Sequence, residues 1–314
     1  NVFNKLRAEW MGFGFGMLSG MIGTEITATD FEGLTEANWL QDNQALRDAV
    51  KTICELAEKL DIRCLTDAMN FIGNEKYLEL EVVSDENLNL VERVITKVLG
   101  THIVEAVYPY FLEFGTDKLD AMGYDITFIN GVYTSNLLVE DISTLVRMAK
   151  SARDFGALDY IKKNDISPLE LSYVRDVVSE LENLNLFTID RANWVSFGLN
   201  YVTPMLNFNV SAADFEDLTE AQWKADNVTL QNIVMSLDKV LYEMQLSSVN
   251  EVIEYVMLNL YVDGHNFTDG MFDGLGETLE QVASLNVLEV IFPNILVFAI
   301  DKTAEFNLDI EFLN

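Results

Sequence analysis

The feature that most constrains the fold of this chain is an internal duplication. Residues 30–39 recur as residues 214–223 with two substitutions, at an offset of 184 residues. Extended without gaps at this offset, residues 1–50 match residues 185–234 at 21 of 50 positions. Self-similarity at a fixed, long period is typical of repeat architectures.

The duplication predicts the domain organisation. Residues 1–130 and 185–314 would be equivalent copies of one 184-residue unit, and residues 131–184 would be the remainder of the first unit. A weak resemblance of residues 184–186 to residues 285–287 suggests that each unit contains two related halves.

The ends of the chain fall inside the repeated pattern. Asn1 corresponds to Asn185, and Asn314 corresponds to Asn130. Native repeat arrays usually end in atypical, polar capping units. We therefore interpret the chain as a segment of a longer array, and we expect it to associate end to end with further copies.

Helical patterns dominate the sequence. Thr219-Glu220-Ala221-Gln222 is a capping box that predicts a helix over 220–243. Pro109 and Pro293 fall inside predicted helices, where we expect a kink or a break because proline collides with the carbonyl four residues earlier.

Three segments alternate like short strands: residues 78–82, residues 126–128 before Asn130-Gly131, and residues 208–210. The predicted fold class is therefore mostly α, a tandem helical repeat with a few short β-strands or hairpins.

The charge balance excludes some partners. With 51 acidic and 20 basic residues, the formal charge is −31, which repels nucleic acid and anionic membrane surfaces. The apolar residues 285–300 correspond to residues 101–116, which contain two carboxylates. We therefore expect no transmembrane segment.

Catalytic residue types are scarce. The two histidines, His102 and His265, do not recur in the other copy, and Cys54 and Cys64 lack zinc or redox spacing. We expect both cysteines to be free thiols. Glycines at residues 12, 14 and 16 lack the dinucleotide-binding spacing, so we interpret them as positions of close helix packing.

Two clusters of acidic residues suggest calcium binding as an alternative to a chain without a cofactor. Asp263, Asp269 and Asp273 lie in a loop-like segment, but without the spacing of a known calcium loop. Asp30, Glu32 and Glu36 recur in the second copy, where acidic residues equally suit helix caps. We predict no cofactor and keep calcium as the alternative.

The recurring residues are mainly apolar and aromatic, which indicates a structural framework rather than a catalytic site. We expect a non-enzymatic scaffold, spacer, adhesin stalk or filament-forming subunit within a larger secreted or cell-surface protein. A second hypothesis is a glycan- or peptide-binding module with an aromatic groove between repeats, for which Trp10 and Trp194 are the candidate binding residues. A third is a hydrolase that uses carboxylates alone.

Overall fold

The structure is a computed structural model that describes residues 6–74, 76, 79, 82–154, 168–246, 251 and 268–305. Twelve α-helices lie in this described part, which contains no strand. The chain divides into two compact units, residues 1–150 and 151–314, called unit 1 and unit 2 below.

Unit 1 is built from helices that follow one another through short connections. They are α1 (Arg7–Ile22), α2 (Glu36–Lys59), α3 (Leu65–Gly73), α4 (Asp85–Leu99), α5 (His102–Asp120) and α6 (Ser135–Asp154), the last of which continues four residues into unit 2. Helix α2 packs along α4, and α1 packs on the short 3-10 turn Ala28–Phe31.

The core of unit 1 joins α1, the 3-10 turn, α2 and α5. Its largest fully buried side chain is Phe31, which is 1 % exposed and stacks on Phe15 of α1. Gly12 lets α1 approach the turn closely, because a Cβ there would lie 2.4 Å from the backbone nitrogen of Ala28. The expectation of close packing is confirmed at this glycine.

Unit 2 has the same helical character. Its helices are α7 (Pro168–Leu181), α8 (Asn185–Thr188), α9 (Arg191–Leu199), α10 (Glu220–Glu243), α11 (Asp269–Ala283) and α12 (Asn286–Glu305). Helix α10 packs against both α7 and α11, and Phe215, 1 % exposed, lies in the core. The helix expected over 220–243 is confirmed, with Thr219 as its N-cap.

Helix α9 stops earlier than α1 for two reasons. Pro204 lies four residues beyond Asn200, so a continued helix would bring its ring against the Asn200 carbonyl. In addition, the Asn200 side chain bonds both backbone groups of Val210, at 2.9 and 3.1 Å. The chain instead turns through the 3-10 segment Thr203–Leu206.

The predicted strands are wrong wherever the structure describes their residues. Thr127–Ile129 is a 3-10 turn, because Asp125 accepts hydrogen bonds from the backbone and hydroxyl of Thr127 at 3.1 and 2.6 Å. Residues 208–210 form a loop, since Asn200 occupies the backbone groups of Val210 that a ladder would use. Residues 78–82 lie largely outside the described residues.

The two prolines sit within continuous helices. Pro109 lies inside α5 and Pro293 inside α12, and neither proline ends its helix.

Within the described residues, no single helix is both long and apolar enough to cross a membrane, although Asp269–Ala283 and Asn286–Lys302, bent by 94°, pass that test as a pair.

Candidate functional site

One deeply buried polar arrangement in unit 1 is a carboxylate at the start of a helix. Asp42 on α2 is 1 % exposed and accepts hydrogen bonds from the backbone nitrogens of His102 and Ile103, both at 3.0 Å. The first amides of a helix lack intrahelical partners and carry partial positive charge. Asp42 therefore satisfies two such donors of α5 and ties α5 to α2.

His102 adds a side-chain contact to the same carboxylate. Its Nδ1 lies 2.8 Å from Oδ1 of Asp42, so a hydrogen bond there requires the proton on Nδ1. This histidine is thus engaged in fixing the start of α5, and His265 lies outside the described residues.

Unit 2 contains the corresponding arrangement on α10. Asp226 is 4 % exposed and accepts from the backbone nitrogens of Asn286 and Val287 at 2.8 and 2.9 Å. The Asn286 amide also donates to Asp226, at 2.7 Å, where unit 1 has His102. Since an asparagine replaces the histidine, this site works without an ionisable ring.

A buried arginine holds the start of each long helix. Arg7 is 7 % exposed and donates two hydrogen bonds to Glu36, at 2.8 and 3.1 Å, with its guanidinium 5.9 Å from the Trp39 ring. Arg191, also 7 % exposed, divides its bonds between Glu220 and Glu182.

In the acidic cluster of Asp30, Glu32 and Glu36, two residues act as a cap and an ion-pair partner. Asp30 accepts from the Thr27 backbone nitrogen at 2.8 Å and from the Tyr110 hydroxyl at 2.7 Å. Glu36 pairs with Arg7. Asp30 and Glu36 therefore have protein partners that account for their positions without a metal.

Unit 1 also contains two neighbouring tyrosines beside a carboxylate, Tyr133, which is buried, and Tyr108, which is half-buried. The Tyr133 hydroxyl donates to Asp141 at 2.9 Å, and Asp141 is fully buried. Burial and then the Asp141 carboxylate raise the pKa of Tyr108 to about 12, and the same two causes raise the pKa of Tyr133 further. Both phenols therefore remain protonated at neutral pH.

The candidate binding residues Trp10 and Trp194 lie in different surroundings. Trp10 is 45 % exposed on a face of α1 that also presents Phe13 and Met17, 66 % and 68 % exposed. Trp194 is half-buried, donates its indole N–H to the Leu186 carbonyl at 2.7 Å and meets the Phe197 ring edge-on.

The calcium candidates are exposed at the start of α11. Asp269 and Asp273 lie one turn apart on this helix, and Asp263 is outside the described residues. Across the described part of the chain, no group of three or more His, Cys, Asp or Glu side chains is arranged to hold a metal ion. Cys54 and Cys64 are exposed and form no disulfide.

Two concave surfaces are lined by described residues, and one of them is small and the other open. A depression of about 140 Å³ lies between α7 and α10, lined by Ser172, Arg175, Val234, Met235 and Asp238. This volume is below the roughly 300 Å³ at which ligand pockets usually begin. A larger hollow of about 530 Å³ follows one face of α4 alone, over residues 89–97.

Comparisons with family models, curated proteins and solved structures found no match to this chain. Its functional interpretation therefore depends on the arrangement of its own side chains.

Arg7 and Asp42 recur in the second copy as Arg191 and Asp226, but the sequence does not show which groups they bind. Asp42 binds backbone amides 60 and 61 residues away, and a backbone amide leaves no signature in the sequence. For Arg7, the partner Glu36 recurs as Glu220, so this pair could have been found from the duplication.

Proposed function

We propose that the chain is a non-enzymatic scaffold segment of a larger secreted or cell-surface protein, built from two copies of one helical repeat. The observation that carries this proposal is that the buried charged groups that recur in both copies hold helices in place. Asp42 and Asp226 cap helices, and Arg7 and Arg191 anchor the first turn of α2 and α10.

The limits of the helices support the repeat. Helices α2 and α10 both have 24 residues, and α4 and α11 both have 15. In each pair the starting residues differ by 184, the offset of the sequence duplication. The 3-10 turns Ala28–Phe31 and Ala212–Phe215 share the same offset and the same capping box.

The cores support it as well. The most buried core aromatics, Phe31 and Phe215, lie 184 residues apart in the sequence and are each 1 % exposed. Around them pack further equivalent pairs, namely Ile26 and Val210, Trp39 and Trp223, Ile103 and Val287, Val107 and Ile291. Conserving apolar character at each core position while the surface diverges is what two copies of one fold require.

A scaffold role agrees with the charge and with the shape of the surface. The formal charge of −31 favours solubility, and the depression between α7 and α10 is too small for a typical substrate. Stacked repeats provide reach and multivalent contact.

Self-association across salt and protein concentration tests the scaffold proposal. Sedimentation and light scattering should show a mean mass that rises with both, because salt screens the repulsion between acidic copies. A strict monomer at high concentration and high salt would remove self-assembly and leave a passive spacer. Hydrolysis of a glycan or peptide that is abolished by neutralising one carboxylate would overturn the proposal.

The exposed face of α1 favours one alternative, a glycan- or peptide-binding module. Trp10, Phe13 and Met17 lie at helical spacing on α1 and are all exposed, and aromatic side chains are common anchors in binding sites. Binding of glycan or peptide probes that quenches tryptophan fluorescence and is lost in Phe13→Asp would support it. Retained quenching in that variant would count against this face.

A further inference from the structure

One side of helix α10 in unit 2 is covered by helix α7. Four residues at helical spacing, Asn227, Gln231, Val234 and Asp238, are buried or half-buried where α7 packs along α10. The Asn227 amide donates to the Val178 carbonyl at 2.6 Å. Val178 lies in the last turn of α7, so this bond ties the end of α7 to α10.

The equivalent side of α2 in unit 1 is exposed. Its residues Asn43, Arg47, Val50 and Cys54 are all exposed, and Val50 has 58 % of its surface in solvent. Among the described residues of unit 1, the helices that pack most against α2 are α4 and α5, on its other sides. We call these four residues the α2 outer face.

Charge favours an acidic helix on this face. Arg47 stands where unit 2 has Gln231, and Cys54 stands where unit 2 has Asp238, so the α2 outer face is more basic than its counterpart. Residues 168–184, which include α7, contain four acidic residues and one basic residue. Arg7 offers a further anchor, because the equivalent Arg191 binds Glu182 just beyond α7.

We propose that the α2 outer face docks an acidic amphipathic helix of the α7 type, supplied by another repeat unit. This inference rests on the proposed repeat. The incoming helix lies along Val50 and Cys54, its last turn presents a backbone carbonyl to Asn43, and its acidic side faces Arg47. A carboxylate beyond its end takes one nitrogen of Arg7, as Glu182 takes one of Arg191.

A peptide of residues 168–184 tests the proposal against the full chain. Fluorescence anisotropy of the labelled peptide should show saturable binding with one peptide per chain. Val50→Asp and Asn43→Ala should each weaken binding about tenfold or more, as central contacts do. The matched control is Leu40→Asp, because Leu40 is 59 % exposed but lies outside the face, and it should leave binding unchanged.

The outcomes separate this inference from the scaffold proposal. Absence of binding at peptide concentrations up to about 1 mM would overturn the docking surface. Binding that is lost in Val234→Asp but kept in Val50→Asp would also overturn it, because the peptide would then be replacing α7 on α10. Self-association that persists in Val50→Asp would leave the scaffold proposal standing without this surface. If the chain binds the peptide but remains monomeric, the natural docking helix comes from a different chain. If the chain forms a dimer that is lost in Val50→Asp, the docking helix comes from a second copy. Both results support the surface.

Discussion

The hydrogen bond from Tyr110 to Asp30 couples the titration of two residues in unit 1. The Tyr110 hydroxyl and then the Thr27 backbone N–H lower the pKa of Asp30 below 3.8, and the carboxylate raises the pKa of Tyr110 above 10.0. A lowered acid pKa gives stability that is lost as pH falls through the folded pKa. A raised tyrosine pKa gives stability that is lost as pH rises through its folded pKa. The bond therefore stabilises the fold across neutral pH.

Tyr110→Phe should reveal this window. We expect the free energy of unfolding to fall by about 0.5–1.5 kcal/mol at pH 7, the usual value of one hydrogen bond. The loss should shrink as pH falls from about 3.9, the ordinary aspartate pKa of the unfolded chain, through the lower pKa at which Asp30 becomes protonated in the folded protein. Urea unfolding at several pH values measures it, with Tyr242→Phe as control because Tyr242 is 78 % exposed. An equal loss at every pH would contradict the coupling.

Tyr133→Phe should cost more, because its partner is buried. Asp141 is 0 % exposed, so removing the hydroxyl that donates to it at 2.9 Å takes a donor from a desolvated carboxylate. We expect a loss of about 1–3 kcal/mol in the free energy of unfolding. Tyr108→Phe is the matched control, since its ring packs edge-on against Tyr133 and should cost clearly less. Similar losses in both variants would show that the cost does not come from the hydrogen bond to Asp141.

At the scale of elements, one carboxylate in each unit joins a long helix to the start of another. Asp42→Asn keeps an oxygen for one amide of α5 but places an NH2 group opposite the other. We expect a loss of about 1–3 kcal/mol in the free energy of unfolding. The same loss should follow Asp226→Asn, because Asp226 binds α12 in the same way.

The control for both substitutions is Asp117→Asn, an exposed carboxylate within α5. It should change the free energy of unfolding by less than about 0.5 kcal/mol, as surface substitutions usually do. Denaturant unfolding of the three variants provides the comparison. A large effect at Asp42 with none at Asp226 would weaken the proposed equivalence of the two units.

How far the elements could be predicted depended on whether their signals are local. Helix α10 was predicted with the correct bounds, because Thr219 and Gln222 form a capping box within four residues. The strand predicted near residue 126 is wrong, because the alternation of apolar and polar residues carries no information about the hydrogen bonds from Thr127 to Asp125. Those bonds start a 3-10 turn. The long-range binding of Asp42 to α5 was likewise beyond sequence reasoning.

At the scale of the whole molecule, the excess of acidic residues governs the response to ions. A formal charge of −31 destabilises a compact state through self-repulsion, and salt screens that repulsion. We expect the Tm to rise as sodium chloride increases from low ionic strength. Calorimetry measures the Tm at each salt concentration. A Tm that stays constant or falls over this range would show that the charges are too far apart to destabilise the fold.

Calcium should add nothing beyond this screening. The described residues contain no group of three acidic or other ligating side chains, and Asp269 and Asp273 are exposed along one helix. A cation that binds the folded state at a specific site raises its stability in proportion to the logarithm of its concentration above Kd. Magnesium carries the same charge but demands tighter octahedral geometry, so a true calcium loop distinguishes the two ions. We therefore expect equal Tm values in calcium and magnesium chloride at millimolar concentration, measured by calorimetry. A calcium-specific rise that disappears in Asp269→Asn or Asp273→Asn would instead identify a metal-stabilised segment at the start of α11.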